Sequence, residues 1–271
     1  MSRIVNVAIA QMESMLGDVE KNLKKAVSCI EKAATAKADI ICFPELFATG
    51  YNLQILASKT VDLSLDYYPK ITAFISEAAV ANNMYVIAPM GKEASTKGVL
   101  YNSAVVFDRQ GNEMGSFSKT HVWALEKSYF KEGNDYPIFN MDFGKVGIIV
   151  CYDAGFPEAM RTLCLKGAEM VFIPSAWRVE DEDMWDLNIP QRALENLLFT
   201  VGVNGVGMNG SLHLFGKSKL CNPRGTIVRE LPIDSEAVEV ITIDLDDVRR
   251  FRTEIPYLRD RKPHIYNTLV E

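Results

Sequence analysis

The sequence contains no long apolar run and no block of basic residues. A transmembrane helix needs roughly 18 or more consecutive apolar residues, and no stretch of the 271 residues approaches that length. The formal net charge is −6, whereas proteins that bind nucleic acids usually carry a basic stripe. The apolar start of the chain is short and meets polar residues without a signal-peptide cleavage site. We therefore expect a cytoplasmic protein with neither a membrane partner nor a nucleic-acid partner.

Cysteine is scarce and widely spaced. No C-x-x-C pair occurs and no histidine stands at zinc-finger spacing from a cysteine, which argues against a disulfide framework and a metal site. The five cysteines are Cys29, Cys42, Cys151, Cys164 and Cys221. We expect them to be reduced thiols. We also expect the sequon at Asn209 to stay unmodified, because glycosylation requires the secretory route.

Two other motifs are incomplete. The chain has three histidines, His121, His213 and His264, and no G-x-S-x-G elbow, so a serine triad is disfavoured. Residues Gly205–Gly210 read G-x-G-x-x-G, but the residues that follow alternate like a strand, whereas the dinucleotide fingerprint requires a helix there. A nucleotide-binding protein that uses this loop, or a non-catalytic protein, stays open as an alternative from a different functional class.

Two segments of the sequence repeat one pattern. ADIICFPE at 38–45 and AEMVFIPS at 168–175 match in residue type at nearly every position. Each follows a predicted strand and a predicted helix of similar length. No Pro/Gly/Ser-rich linker separates the two halves, so they predict one pseudo-symmetric α/β domain.

This single domain is expected to span residues 1–271. Its core is expected at about 4–245, where strand and helix patterns alternate, and the tail at 246–271 is expected to lie outside that core.

Three reactive residue types stand just beyond predicted strands. Cys151 lies between an apolar strand and a helix that Pro157 opens, Glu45 follows a strand, and Lys119 ends a predicted hairpin. Ligands of open α/β sheets gather at the carboxyl ends of the strands. A thiolate can attack a carbonyl carbon, a carboxylate can serve as its base, and a lysine or a helix N-terminus can stabilise the oxyanion.

Each of these residues also has an ordinary structural interpretation. Free cysteine is most often a small buried side chain, and the local run around Cys151 alone favours neither interpretation. Glu45 and Lys119, taken singly, are expected to be solvated, because most charged residues are exposed.

Taken together, the motifs resemble those of the nitrilase superfamily of carbon–nitrogen hydrolases. The likeness lies in FPELFATGY around Glu45, SKTHVW around Lys119 and CYDAGFPEAMRTLCLKGAEMVFIPSAW around Cys151, and it extends over residues 4–266. It implies a four-layer α-β-β-α sandwich. It also implies homodimers or larger assemblies that form through the outer helical layers.

The resemblance further implies a role for each site residue. Cys151 would be the nucleophile, Glu45 the general base and acid, and Lys119 the oxyanion stabiliser. The peptide N–H of Tyr152 would be the second oxyanion donor, and Glu126 would hold the lysine and the substrate in place. No metal and no organic cofactor is implied.

The residues after the cysteine indicate the branch of the superfamily. Members that cleave nitriles usually carry Cys-Trp-Glu, whereas Tyr152 and Asp153 follow Cys151 here. This difference favours an amidase that converts a small linear amide into a carboxylic acid and ammonia through a thioester. An N-carbamoyl amide hydrolase is the alternative, and a nitrilase is less favoured.

The sequence also suggests where the substrate binds. The expected pocket residues are Tyr51, Ser175, Trp177 and Arg178. The acidic segment 179–186 is expected to be a mobile loop at the entrance. Arg178 could bind a substrate carboxylate, or it could pair with Glu180 or Asp181 at the surface.

Overall fold

The computed structural model describes residues 2–270 and contains two six-stranded β-sheets. The strands are β1 (Ile4–Gln11), β2 (Ile40–Cys42), β3 (Tyr85–Glu93), β4 (Leu100–Phe107), β5 (Glu113–Ser118), β6 (Phe139–Met141), β7 (Gly144–Ile148), β8 (Met170–Ser175), β9 (Phe199–Asn204), β10 (Val206–Asn209), β11 (Leu212–Phe215), β12 (Lys219–Cys221), β13 (Ile227–Glu230) and β14 (Ala237–Asp244). The α-helices are α1 (Val19–Thr35), α2 (Leu53–Leu56), α3 (Lys59–Asn82), α4 (Pro157–Leu165), α5 (Glu182–Asn196) and α6 (Asp247–Glu254).

The two sheets are built on one plan. The strand order is β14-β1-β2-β3-β4-β5 in the first sheet and β13-β12-β9-β8-β7-β6 in the second. Each contains a parallel triplet, β1-β2-β3 or β7-β8-β9, with antiparallel strands on both sides. The two matching segments of the sequence contain β2 and β8, the central strands of these triplets. The predicted pseudo-symmetric α/β domain is confirmed.

Residue alternation along β1 produces the layers. Successive side chains of a strand point to opposite faces of its sheet. Val5 and Val7 belong to the core shared with the second sheet, whereas Ala8 and Ala10 belong to the core under α1 and α3. On the other side of the molecule, α4 and α5 pack on the second sheet, with Trp185 fully buried. The predicted four-layer α-β-β-α sandwich is confirmed.

The acidic segment 179–186 is not a mobile loop, and that prediction was wrong. A 3₁₀ turn occupies Val179–Asp181, and α5 begins at Glu182. Acidic residues in the first turn favour a helix because they complement its dipole. Pro190 lies inside α5, although proline is more common at the beginning of a helix.

The expected tail at 246–271 contains a regular helix. In α6, Val248 and Phe251 are three residues apart on one face and are both buried. The guanidinium of Arg252 donates to the carbonyl of Ala168, which ties the helix to the start of β8. Beyond α6, short 3₁₀ turns at Pro263–Ile265 and Asn267–Val270 fit the irregular chain that was expected there.

Candidate active site

Cys151 lies at a sharp turn between β7 and α4. Its φ is +50°, a left-handed conformation that costs a non-glycine residue about 1–2 kcal/mol. It begins a 3₁₀ turn, Cys151–Gly155, and Pro157 opens α4 directly afterwards. The first N–H groups of a helical turn have no partner within it. The N–H of Tyr152 is therefore in position to bind an anion beside the thiol.

Glu45 lies beyond the carboxyl end of β2 and is almost fully buried. Its Oε1 accepts hydrogen bonds from Lys119 Nζ and from Asn102 Nδ2, both at 2.7 Å. Its Oε2 accepts one from the Ala176 N–H at 3.1 Å. These donors fix the carboxylate in one orientation. Sequence analysis did not identify Asn102, whose only signal was a polar residue inside the apolar strand β4.

Lys119 directly follows β5 and is fully buried. Its ammonium group lies 2.7 Å from Glu45 Oε1 and 2.7 Å from Glu126 Oε1. Glu126 is held in turn by the Tyr51 hydroxyl at 2.5 Å and by the Trp123 N–H at 2.8 Å. An ammonium has three donors, so one donor of Lys119 stays available after these two bonds.

The charges of Glu45, Lys119 and Cys151 shift one another's pKa values. Burial raises the pKa of the Cys151 thiol well above its usual value, Glu45 raises it further, and Lys119 lowers it. Burial also raises the pKa of Glu45, although Lys119 opposes this shift. For Lys119, burial lowers the pKa, but Glu45 and Glu126 outweigh it and the pKa is raised. The site thus places a protonated thiol beside a strengthened base and a permanent cation.

A cavity of about 140 Å³ opens at Cys151. Tyr51, Trp177 and Arg178 line it, as the sequence predicted. Ser175 does not line it, and that prediction was wrong. The Ser175 hydroxyl is buried and donates to the Ile173 carbonyl at 3.1 Å, because the side chain points into the sheet. The Ser175 backbone carbonyl instead accepts from the Glu45 N–H at 3.4 Å.

Asp153 supports the turn that carries Cys151 and was not identified as a support from the sequence. Its carboxylate is fully buried and accepts from the Val150 N–H at 3.0 Å. It also accepts from the Thr120 hydroxyl at 2.8 Å, from the His121 N–H at 2.8 Å and from His121 Nδ1 at 2.7 Å. Asp153 therefore links the turn of the nucleophile to the residues that follow Lys119.

The glycine-rich segment Gly205–Gly210 forms a hairpin rather than the start of a helix. Strands β10 and β11 pair antiparallel across it. The side chain of Asn209 is buried and accepts from the Tyr51 N–H at 3.0 Å. The hairpin thus positions a pocket residue, and it lacks the helix that a dinucleotide fingerprint needs.

Two kinds of feature are absent from residues 2–270. No helix in this range is long and apolar enough to cross a membrane. No group of three or more His, Cys, Asp or Glu side chains in the same range could hold a metal ion.

Comparisons with known proteins identify the family of the chain. The model of the carbon-nitrogen hydrolase family matches residues 6–253. A nitrilase of Pyrococcus abyssi is 33% identical over 271 residues, covering 97% of this chain and 99% of that protein. An N-carbamoylputrescine amidase of Solanum lycopersicum is 28% identical over 289 residues, covering 99% and 96%.

A solved structure shares both fold and sequence with the chain. The carbon-nitrogen hydrolase of Helicobacter pylori G27 superposes with a TM-score of 0.92 at 29% identity, and the match covers 100% of this chain and 99% of that one. An amidase of Nesterenkonia sp. has the same fold, with a TM-score of 0.87 at 22% identity over 99% and 97% of the two chains. The chain belongs to the carbon-nitrogen hydrolase family, within the nitrilase superfamily.

Proposed function

We propose that this carbon-nitrogen hydrolase converts a small linear amide into a carboxylic acid and ammonia through a thioester on Cys151. One observation carries the proposal: the hydrogen-bonded set of Glu45, Lys119 and Glu126 lies buried beside the turn that presents the thiol. The names of several relatives, which include amidases, support the same class of reaction.

The first half-reaction would form the thioester. Glu45 accepts the proton of the Cys151 thiol while the sulfur attacks the amide carbon, because a thiol with a raised pKa needs a base at the moment of attack. The free donor of Lys119 and the Tyr152 N–H then stabilise the oxyanion. Glu45 returns the proton to the departing nitrogen, and ammonia leaves.

The second half-reaction would release the acid. Water attacks the thioester carbon and gives a proton to Glu45, and the carbon–sulfur bond breaks. The proton returns to the sulfur, so Cys151 is again a thiol and the carboxylic acid departs. Glu45, Lys119 and Cys151 serve both half-reactions. The amide and one water molecule account for every atom of the products.

A second candidate is the hydrolysis of an N-carbamoyl amine, which would release ammonia, carbon dioxide and the amine. Its support is the likeness to N-carbamoylputrescine amidases of plants. Relatives named nitrilase also occur, but Tyr152 and Asp153 replace the Trp-Glu pair usual after the cysteine of nitrile-cleaving members.

Ammonia release from a panel of amides, carbamoyl compounds and nitriles tests the proposal. We expect turnover of amides, and a loss of about 10³-fold or more in kcat for Cys151→Ala and for Glu45→Gln, because these groups act as a unit. Cys29→Ala is the matched control, since it removes a buried thiol elsewhere and should keep the activity. Turnover of nitriles alone, or full activity in a folded Cys151→Ala protein, contradicts the proposal.

A further inference from the structure

The cavity beside Cys151 has mostly apolar and aromatic walls. Trp123, Tyr152, Met184 and Leu212 contribute much of this surface. Such walls favour an apolar acyl group, because transfer of apolar surface out of water is favourable and burial of an unpaired charge is costly. Among the lining residues, only Arg178 and Asp181 carry charge.

Arg178 already has a partner for its guanidinium. Its Nε lies 2.6 Å from Asp181 Oδ2, and its Nη2 lies 3.5 Å from Oδ1 of the same carboxylate. Its Cζ also lies 5.3 Å from the centre of the Trp123 ring. Asp181 is held separately, because its carbonyl accepts from Trp177 Nε1 at 2.9 Å. The Arg178–Asp181 pair therefore contacts both Trp123 and Trp177, which also line the pocket.

The charges around the pocket oppose an anionic substrate. The cations are Lys119 in the buried site and Arg178 on the wall, and each is already bonded to carboxylates. The carboxylates of Glu45, Glu126, Asp181 and Glu180 outnumber these two cations, and Glu180 lines the adjoining cavity. A substrate carboxylate would have to share Arg178 with the Asp181 carboxylate and approach Glu180, so the two acidic side chains would repel it.

We propose that this site selects amides whose acyl group is uncharged and apolar, with the Arg178–Asp181 pair acting as a clamp on the pocket wall and not as a receptor for a substrate carboxylate. The selectivity rests on the proposed function, because it is a preference among substrates of that same site.

Two five-carbon amides that differ at one end test the selectivity. Pentanamide ends in a methyl group and glutaramate ends in a carboxylate. We expect the wild-type kcat/KM to favour pentanamide by at least about tenfold. Asp181→Asn should narrow this ratio by raising kcat/KM for glutaramate, because the variant frees Arg178. Arg178→Gln removes a cation and leaves the Asp181 carboxylate in place, so the preference for pentanamide should persist or increase.

Arg250→Gln is a matched control for these variants. Arg250 also pairs with an aspartate three residues away, Asp247, and lies over the ring of Phe251, but it is on α6 away from the cavity. This variant should keep the wild-type ratio. A wild-type preference for glutaramate that Arg178→Gln abolishes would overturn the clamp and assign a receptor role to Arg178.

Protection of Cys151 from alkylation measures the preference between pentanamide and glutaramate by binding alone, without hydrolysis. Pentanamide should slow the reaction of iodoacetamide with Cys151 at lower concentration than glutaramate does. If no amide of the panel is hydrolysed, the proposed function fails, and this protection experiment still decides the selectivity. Stronger protection by glutaramate contradicts it.

Discussion

The buried carboxylate of Glu45 is the residue on which the proposed chemistry depends most closely. Its two oxygens have different surroundings, because Lys119 and Asn102 donate to Oε1 and the Ala176 N–H donates to Oε2. A carboxylate bound in this way can exchange a proton through one oxygen while the other stays anchored. Burial raises its pKa, which makes it a better base for a thiol whose pKa is also raised.

The pH dependence of kcat/KM should show these shifts. Glu45 must be ionised to accept the proton, and its pKa is raised, so activity should fall with acid at a pH above the ordinary glutamate value of about 4.3. Because the pKa values of Cys151 and Lys119 are both raised, no alkaline loss is expected below about pH 8.5. A pH profile of kcat/KM, measured with an uncharged amide, shows both the acid limb and the alkaline limb of the activity. An acid limb at or below pH 4 would contradict the assignment of Glu45 as base.

Residue types at strand ends were enough to predict Glu45, Lys119 and Cys151 as a group, but not their supports. Asn102 meets Glu45 across 57 positions of sequence, and Asp153 meets His121 across 32. Neither position has a local pattern, because the need for a polar residue arises only once the strands and turns have packed together.

At the scale of elements, helix α5 shapes both the core and the pocket. Met184 lines the cavity, while the next residue, Trp185, is fully buried and donates from Nε1 to the Lys217 carbonyl at 2.9 Å. Lys217 Nζ also binds Glu182 at 2.7 Å, which fixes the start of the helix. Pro190 and the acidic run of α5 both resemble loop signals, and the contact that stabilises the first turn comes from the connection between β11 and β12.

The close approach of α5 to β9 requires a glycine. A Cβ atom at Gly202 would lie 2.8 Å from Cη2 of the buried Trp185 ring. We expect Gly202→Ala to lower the free energy of unfolding by about 1–3 kcal/mol, because the ring cannot move without displacing the helix. Urea denaturation measures the change. Gly155→Ala is the control, since its Cβ would meet no atom within 4 Å, and an equal loss in both variants would contradict the steric explanation.

At the scale of the whole molecule, burial separates one thiol from the other four. Cys29, Cys42, Cys164 and Cys221 are buried, and burial raises the pKa of each. Cys151 alone among the five is partly exposed, at the cavity. The sequence predicted five reduced thiols, and the packing of two sheets and four helices decides which of them a reagent can reach.

Alkylation of the native protein should therefore stop at one group per chain. We expect iodoacetamide to modify Cys151, because this small neutral reagent can enter the cavity, and to modify all five cysteines after denaturation. Intact mass and peptide mapping provide the measurement, and native Cys151→Ala should take up no label. Modification of a second thiol at a comparable rate would show that the layers open more readily than their burial indicates.

The whole fold was more predictable than the site, because the two similar segments at 38–45 and 168–175 revealed the pseudo-symmetry directly. They could not reveal that their ends play different parts. Glu45 extends a carboxylate into the site, whereas the matching Ser175 turns its hydroxyl inward and offers a backbone carbonyl. The difference depends on the direction of one side chain, which residue type alone does not determine.

The pseudo-symmetry also has a consequence for what each half of the chain can do. Glu45, Lys119 and Glu126 come from the first half, and Cys151 comes from the second. A half that paired with its own copy would duplicate the base or the nucleophile without ever joining the two. Neither half holds all four side chains, so the two halves are complementary and one cannot substitute for the other.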